Sequence, residues 1–227
     1  MEQFERLELL IGKDNIEKLS SKTILILGVG GVGGYTVEAL VRSGIKNLII
    51  VDSDIIDITN LNRQIITNLS NIGKLKVDEA KKRINSINEN CNVIAINKFI
   101  TKDNIGELFK YNIDYVIDAC DTIETKKELI RICLSNNIKI ISCMGTGNKL
   151  DPTKFKITDI RKTNYDPIAK KIRKMFKDEN IKDKLPVLWS DEIPRKNNTG
   201  KIGTIAYMPS IAGLLCASFI INDIISK

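Results

Sequence analysis

Short apolar runs rich in β-branched residues alternate with helical stretches through the first 150 positions of this 227-residue chain. That alternation predicts an α/β fold: a doubly wound, mainly parallel, Rossmann-like sheet with a small basic C-terminal extension. Two further observations support it. The first run passes directly into a glycine loop, Gly28-Val29-Gly30-Gly31-Val32-Gly33, and the second ends on Asp52, nineteen positions beyond Gly33. Strand, glycine turn, helix, strand and terminal carboxylate at this spacing make a nucleotide-binding βαβ unit.

Taken in order, residues 3–11 place Phe4, Leu7, Leu10 and Ile11 on one face, which predicts a short amphipathic helix. Residues 23–27 form the first strand, 32–43 a helix that Gly44 ends, and 48–51 the second strand. An irregular stretch over 54–71 precedes a helix over about 74–87. Strands follow at 93–96, 115–118 and 138–142, with a helix over 123–136 between the last two. After Asp151-Pro152 the pattern changes. Residues 155–160 alternate as a strand, 166–177 make a basic helix, 187–190 a strand, and 191–203 a charged irregular segment. Residues 209–225 close the chain as an apolar helix interrupted by Asn222 and Asp223. It is shorter than the ~20 residues that cross a bilayer, and is expected in the core or a subunit interface rather than in a membrane. The organisation expected is a nucleotide-binding unit over 1–150, then a basic segment and an apolar helix over 151–227 packed on the same core.

Composition excludes several chemistries. There is no histidine, so the commonest general base and metal ligand is missing, and acid–base work falls to Asp, Glu, Lys or the substrate itself. Cys91, Cys120, Cys133, Cys143 and Cys216 are odd in number and lie mostly in apolar runs, as reduced core thiols of a cytoplasmic protein do. None is spaced as C-x-x-C, which argues against structural zinc. The first residues lack the apolar stretch of a secretory signal. The net charge of +7 is uneven: residues 154–184 hold 11 Lys/Arg against 5 Asp/Glu, whereas 1–153 hold 20 of each. A concentrated basic patch suits a polyanion, because neutralised phosphates release counterions. A solvated lysine-rich helix would look the same.

The glycine loop lets backbone approach phosphates at a positive helix end, while Asp52, with Asp54 beside it, is placed to take ribose hydroxyls. This alone does not separate NAD from ATP. Asn60-Leu61-Asn62-Arg63-Gln64 and Gly73-Lys74-Leu75-Lys76 do. Arginine grips two phosphate oxygens and lysine acts as a point charge, which suits breaking a phosphoanhydride better than moving a hydride. Asp118-Ala119-Cys120-Asp121-Thr122 ends the fourth strand at the edge where such sheets bind ligands. Two roles are open for its aspartates: holding Mg2+ against phosphates, or capping the loop and the helix that begins near Ile123. Asp121 is favoured for the metal and Asp118 for structure.

In that order, Arg6, residues 28–33, Asp52, 60–64, 73–76 and Asp121 resemble the ThiF/MoeB/HesA superfamily, relatives of ubiquitin-activating enzymes that adenylate a carboxylate with MgATP. The resemblance covers about residues 3–150. It implies an ATP-binding adenylation domain that uses ATP and Mg2+. Gly28, Gly30, Gly31, Gly33, Asp52, Asp54, Asn60, Asn62, Arg63, Lys76, Asp121 and Thr122 would form the nucleotide site. Arg6, Arg63, Lys76 and Asp121 would be the catalytic set, with Asp121 on the metal. Arg6 would reach into the active site of a partner subunit, which implies a homodimer.

The second part resembles one branch of that superfamily, the dehydratases of threonylcarbamoyladenosine in tRNA. The matching stretches are Ser142 to Thr153, Thr158-Asp159-Ile160, and Thr163-Asn164-Tyr165-Asp166-Pro167 running to Arg173. This branch implies ATP-driven adenylation of the threonine carboxylate beside the anticodon, then ring closure by the substrate's own urea nitrogen. Arg161, Lys162, Lys170, Lys171, Arg173 and Lys174 would grip the tRNA, and a sulfur-relay or redox protein is a possible further partner. The alternative is an adenylating enzyme for a ubiquitin-like sulfur carrier of the molybdopterin or thiamine type, whose zinc pairs and thioester cysteine are missing here. An NAD-dependent oxidoreductase and a non-catalytic scaffold are more remote.

Overall fold

The computed structural model describes residues 2–196 and 198–226. Its elements run α1 (Glu5–Ile11), α2 (Lys13–Ser21), β1 (Thr23–Leu27), α3 (Gly31–Arg42), β2 (Asn47–Val51), α4 (Lys76–Ile87), β3 (Asn92–Ile96), β4 (Tyr115–Asp118), α5 (Ile123–Ser135), β5 (Lys139–Cys143), β6 (Phe155–Asp159), α6 (Pro167–Asp178), β7 (Pro186–Ser190) and α7 (Tyr207–Ile225). The strands form one sheet in the order β3-β2-β1-β4-β5-β7-β6. Every pairing is parallel except that of β6 with β7, so the mainly parallel, doubly wound sheet is as expected. The strand order reverses between β1 and β4, and the loops leaving their carboxyl ends open a crevice there.

Both faces of the sheet are covered, which is why its strands read as continuous apolar runs. Alternate residues Ile24, Ile26, Leu48 and Ile50 pack under α3, α4 and α7, and their neighbours Leu25, Leu27, Ile49 and Val51 under α5 and α6. Residues 151–227 belong to this arrangement, because β7 enters the sheet between β5 and β6.

Three elements differ from expectation. Helix α2 has no counterpart in the sequence reading: of its nine residues only Leu19 is buried, so its apolar period is too weak to show. Helix α1 forms and most of its expected stripe is covered, with Phe4 buried, Leu7 half-buried and Ile11 packed on the core, but Leu10 of that stripe and the neighbouring Leu9 are 80% and 85% exposed. Helix α7 starts at Tyr207, two residues earlier than expected, with Pro209 in the first turn where its missing N–H costs nothing. At 19 residues α7 is long and apolar enough to cross a bilayer by length and composition. It nevertheless packs along α3. A Cβ on Gly213 would lie 2.3 Å from the Val32 carbonyl oxygen, and Thr36 Oγ1 donates to the Gly213 carbonyl at 3.1 Å. Met208, Ala212, Cys216, Ala217, Ile220 and Ile224 are buried.

Candidate active site

The end of β1 is built around two glycines. Gly28 has φ +92°, and a Cβ there would meet the Ala119 carbonyl oxygen at 2.8 Å. A Cβ on Gly33 would lie 1.8 Å from the Gly28 carbonyl oxygen, so only glycine lets α3 close on the loop. Gly30 is the N-cap of α3 and supplies no capping side chain, which leaves first-turn N–H groups open to an anion. Asp52 is oriented by backbone: Val29 N–H donates to its Oδ2 at 2.7 Å and Asp54 N–H to its Oδ1 at 2.9 Å. Each carboxylate oxygen keeps a lone pair for a further donor.

These groups open on a cavity of about 490 Å3 that also receives the expected residues from β2, α4 and the loop after β4. Gly28, Gly30, Gly31, Asp52, Asp54, Asn60, Arg63, Lys76, Asp121 and Thr122 all line it. Three expected residues do not. Gly33 packs within the loop, Asn62 is exposed and donates to the Thr204 carbonyl at 3.3 Å, and Arg6 is exposed on α1. Lining residues that the sequence did not reveal include Lys98, Phe99, Thr146, Gly147, Ile202 and Pro209. Pro209 arrives through the packing of α7 on α3, a contact with no local sequence signal. Phe99 has a weak signal, an aromatic three residues beyond the apolar run 93–96, but only the structure shows it 60% exposed at the cavity.

The cations are held by local structure. Asp57 caps the turn over Ile58–Asn60, and Asn60 returns the bond by accepting from Asp57 N–H at 3.0 Å. Asn60 therefore builds the turn that carries Arg63, whose Nη1 donates to the Thr59 carbonyl at 2.8 Å and Asn62 Oδ1 at 2.9 Å. Lys76 starts α4 with its side chain 6% exposed, and its Nζ pairs with Asp54 Oδ2 at 2.7 Å. Gln64 is 6% exposed, lines the cavity, and its Oε1 has no hydrogen-bond partner among the described residues.

The two aspartates at and after the end of β4 differ sharply. Asp118 is wholly buried and takes Lys126 Nζ at 2.7 Å, Ser142 Oγ at 2.6 Å and Cys120 N–H at 3.3 Å. Lys126, also fully buried, donates onward to the Cys143 carbonyl at 3.0 Å and so ties β4 to β5. Burial opposes its charge, but Asp118 more than offsets that and holds the ammonium above its usual range. Asp121 is exposed, lines the cavity, and makes no hydrogen bond or ion pair among the described residues. Helix α5 is preceded by Thr122 with no side-chain cap bond, so Asp121 does not cap it.

Cys91, Cys120, Cys133 and Cys216 are not primed as nucleophiles. Burial pushes Cys91 up to about 11 and Cys133 to about 12. Burial, then Asp118, lifts Cys120 well above its usual value, and the neighbouring Cys143 thiol with burial lifts Cys216.

A second cavity of about 650 Å3 lies on the other side of the 146–148 turn, and Lys170 and Arg173 line it. The other expected basic residues are dispersed. Lys162 and Lys171 are exposed without ion pairs among the described residues, and Lys174 pairs with Asp178. Arg161 is occupied by Asp159 and by the carbonyls of Ile181 and Asp183, over the Phe176 ring.

The ThiF family model matches residues 4–227. A Bacillus subtilis (strain 168) protein named tRNA threonylcarbamoyladenosine dehydratase is 45% identical, over 99% of this chain and 95% of its own. One of the same name from Escherichia coli (strain K12) is 36% identical over 86% of this chain and 68% of its own. Crystal structures of the E. coli enzyme with AMP and with ATP superpose with TM-scores of 0.94 and 0.93 at 31% identity, covering 100% of this chain and 95% of theirs. A glycine cradle, two cavity-lining cations and an unpaired aspartate at the switch point thus coincide with an end-to-end match, and the chain belongs to the ThiF family.

Proposed function

We propose that this chain is an ATP-dependent dehydratase of threonylcarbamoyladenosine in tRNA, acting in the cytoplasm as a homodimer. One observation carries the adenylating chemistry: Arg63, Lys76 and the unpaired Asp121 meet the glycine cradle in one cavity. The tRNA substrate is supported by relatives of that name matching the chain over 99% of its length.

The threonine carboxylate attacks the α-phosphorus of ATP, and the bond to the β-phosphate oxygen breaks to release pyrophosphate. A urea nitrogen of the same substrate then attacks the acyl carbon, loses its proton and expels AMP, closing a five-membered ring. Because the nucleophile is intramolecular, proximity supplies much of the acceleration, and no enzyme thiol is needed. Open N–H groups at the start of α3 receive phosphate oxygens, and Asp52 takes ribose hydroxyls. Arg63 and Lys76 neutralise charge as it moves to the leaving pyrophosphate. Asp121 would hold a Mg2+ ion, and its single free carboxylate fits an ion whose other ligands are phosphates and water. When bound, that ion supplies further neutralisation of the phosphate charge.

Arg6 lies outside its own chain's cavity, on the helix whose Leu9 and Leu10 face solvent. A dimer that covers α1 would bury those leucines and deliver Arg6 to the partner's cavity. Lys162, Lys170, Lys171 and Arg173 are the tRNA-facing cations, with Arg161 and Lys174 supporting them from their ion pairs.

The test is incubation of the pure protein with MgATP and threonylcarbamoylated tRNA, followed by mass analysis of the nucleosides. The expected product is lighter by one water and appears with AMP. An unchanged nucleoside beside active ATP–pyrophosphate exchange on a Gly-Gly carrier peptide would favour the sulfur-carrier reading.

A further inference from the structure

The second cavity gathers cations from two distant stretches, Lys170 and Arg173 of α6 and Arg195, Lys196 and Lys201 of the segment after β7. Its one carboxylate, Asp166, is buried and turned inward. Asp166 caps α6 at Ala169 N–H (2.8 Å), accepts from Gly145 N–H (3.0 Å) and faces Lys149 Nζ at 3.6 Å. Arg195 also faces Glu192, outside the lining, at 4.0 Å, so the lining carries five cations against one buried carboxylate, a balance that suits a phosphate chain.

Tyr165 is the aromatic of this cavity, and two facts about it resist a packing explanation. It is 60% exposed, and its backbone sits in the left-handed region at φ +53°, a region disfavoured for non-glycine residues. The anchored Asp166 holds it there, with Asp166 N–H bonded to the Asn164 carbonyl at 2.6 Å. An aromatic face held out beside a row of cations is the arrangement on which unpaired bases stack.

The two cavities share a wall. Thr146 and Gly147 line the nucleotide cavity, and Asn148 lines the second. Asn148 N–H donates to the Gly203 carbonyl at 2.8 Å, its Oδ1 accepts from Gly203 N–H at 2.7 Å, and its carbonyl accepts from Arg195 N–H at 2.7 Å. One residue thus ties the segment after β7 to the partition.

We propose that the second cavity seats the RNA strand adjoining the modified adenosine. Tyr165 stacks an unpaired anticodon-loop base, and Lys170, Arg173, Arg195, Lys196 and Lys201 grip its flanking phosphates. The substrate carboxylate then crosses the 146–148 turn to reach ATP. This deepens, and rests on, the tRNA reading above. It adds an aromatic and three cations after β7 to the basic residues of 161–174.

The test compares Tyr165→Leu with Tyr165→Phe, which share the same backbone requirement, and with a triple alanine variant at Arg195, Lys196 and Lys201. Affinity for threonylcarbamoylated tRNA is measured across a salt series, and AMP release is read on the same samples. Tyr165→Leu should weaken binding about 5- to 150-fold, the worth of one stacked base, with an unchanged salt slope. Tyr165→Phe should bind within about twofold of wild type, because the stacking face is retained. The triple variant should reduce the salt slope by about 2 units, near 0.7 for each single-strand phosphate that the three cations no longer neutralise. Wild-type affinity in Tyr165→Leu, or equal losses in the Leu and Phe variants, overturns the proposal. If wild-type protein releases no AMP yet Tyr165→Leu alone weakens tRNA binding, the RNA seat stands and the dehydratase reading falls. If wild type releases AMP and Tyr165→Leu binds tRNA equally well, the seat falls and the dehydratase reading stands.

Discussion

Lys126→Met removes the cation from a pair whose side chains are both 0% exposed, and it leaves Asp118 with three uncharged donors, Ser142 Oγ, Cys120 N–H and the weak Cys120 Sγ. Breaking a buried pair from one side typically costs about 3–5 kcal/mol. The stranded carboxylate has an escape, which is to take up a proton. An ordinary carboxylate titrates near pH 3.9, and each pH unit above that costs about 1.4 kcal/mol, so protonation caps the penalty near 4 kcal/mol at pH 7 and near 1.5 kcal/mol at pH 5. The sign follows from proton counting. Between those values the folded variant binds more protons than its unfolded chain, so its stability falls as pH rises. Urea unfolding of wild type and variant at pH 5 and pH 7 should therefore give a difference that grows by about 2–3 kcal/mol across the interval. Adding Asp118→Asn should recover much of the loss, as coupled partners do. A loss that is independent of pH, or under about 1 kcal/mol at pH 7, would refute this account of the pair.

Asp121→Ala should abolish Mg2+-dependent AMP formation while shifting stability by less than about 0.5 kcal/mol, because the side chain is exposed and unpaired; undiminished activity removes it from the metal site. Arg63→Ala and Lys76→Ala should each lower the rate of AMP release by about 100- to 1,000-fold, read as single-turnover rates at saturating ATP. Gly33→Ala should lose ATP binding by titration calorimetry, since its Cβ would lie 1.8 Å from the Gly28 carbonyl oxygen and must displace α3 or the loop; wild-type affinity would contradict that packing. Alanine at Lys170, Lys171, Arg173 and Lys174 together should weaken tRNA binding and flatten its salt dependence, with unchanged affinity as the contrary result.

What is legible in the sequence is what local chemistry dictates. Buried parallel strands show as apolar runs, the glycine loop shows because its geometry tolerates no side chain, and Asp52 stands out by its position after β2. Gly33 illustrates the limit: the spacing marks it as a ligand residue, whereas its structural work is to let α3 approach Gly28. Lys126 is hidden because a buried lysine looks like any helix-surface lysine until its partner Asp118 is placed in space. The insertion of β7 between β5 and β6 and the seating of Pro209 on the nucleotide cavity depend on long-range packing, which no short window encodes. Helix α2 is silent because one buried leucine is too little periodicity to read.

Transfer of a labelled oxygen reports the acyl-adenylate most directly. With heavy oxygen in the threonine carboxylate of the modified tRNA, attack on the α-phosphorus carries one labelled atom into the phosphate of AMP. The expected result is one label per AMP, in step with formation of the cyclic nucleoside. Unlabelled AMP, or label found in pyrophosphate or inorganic phosphate, would contradict adenylation of the carboxyl group.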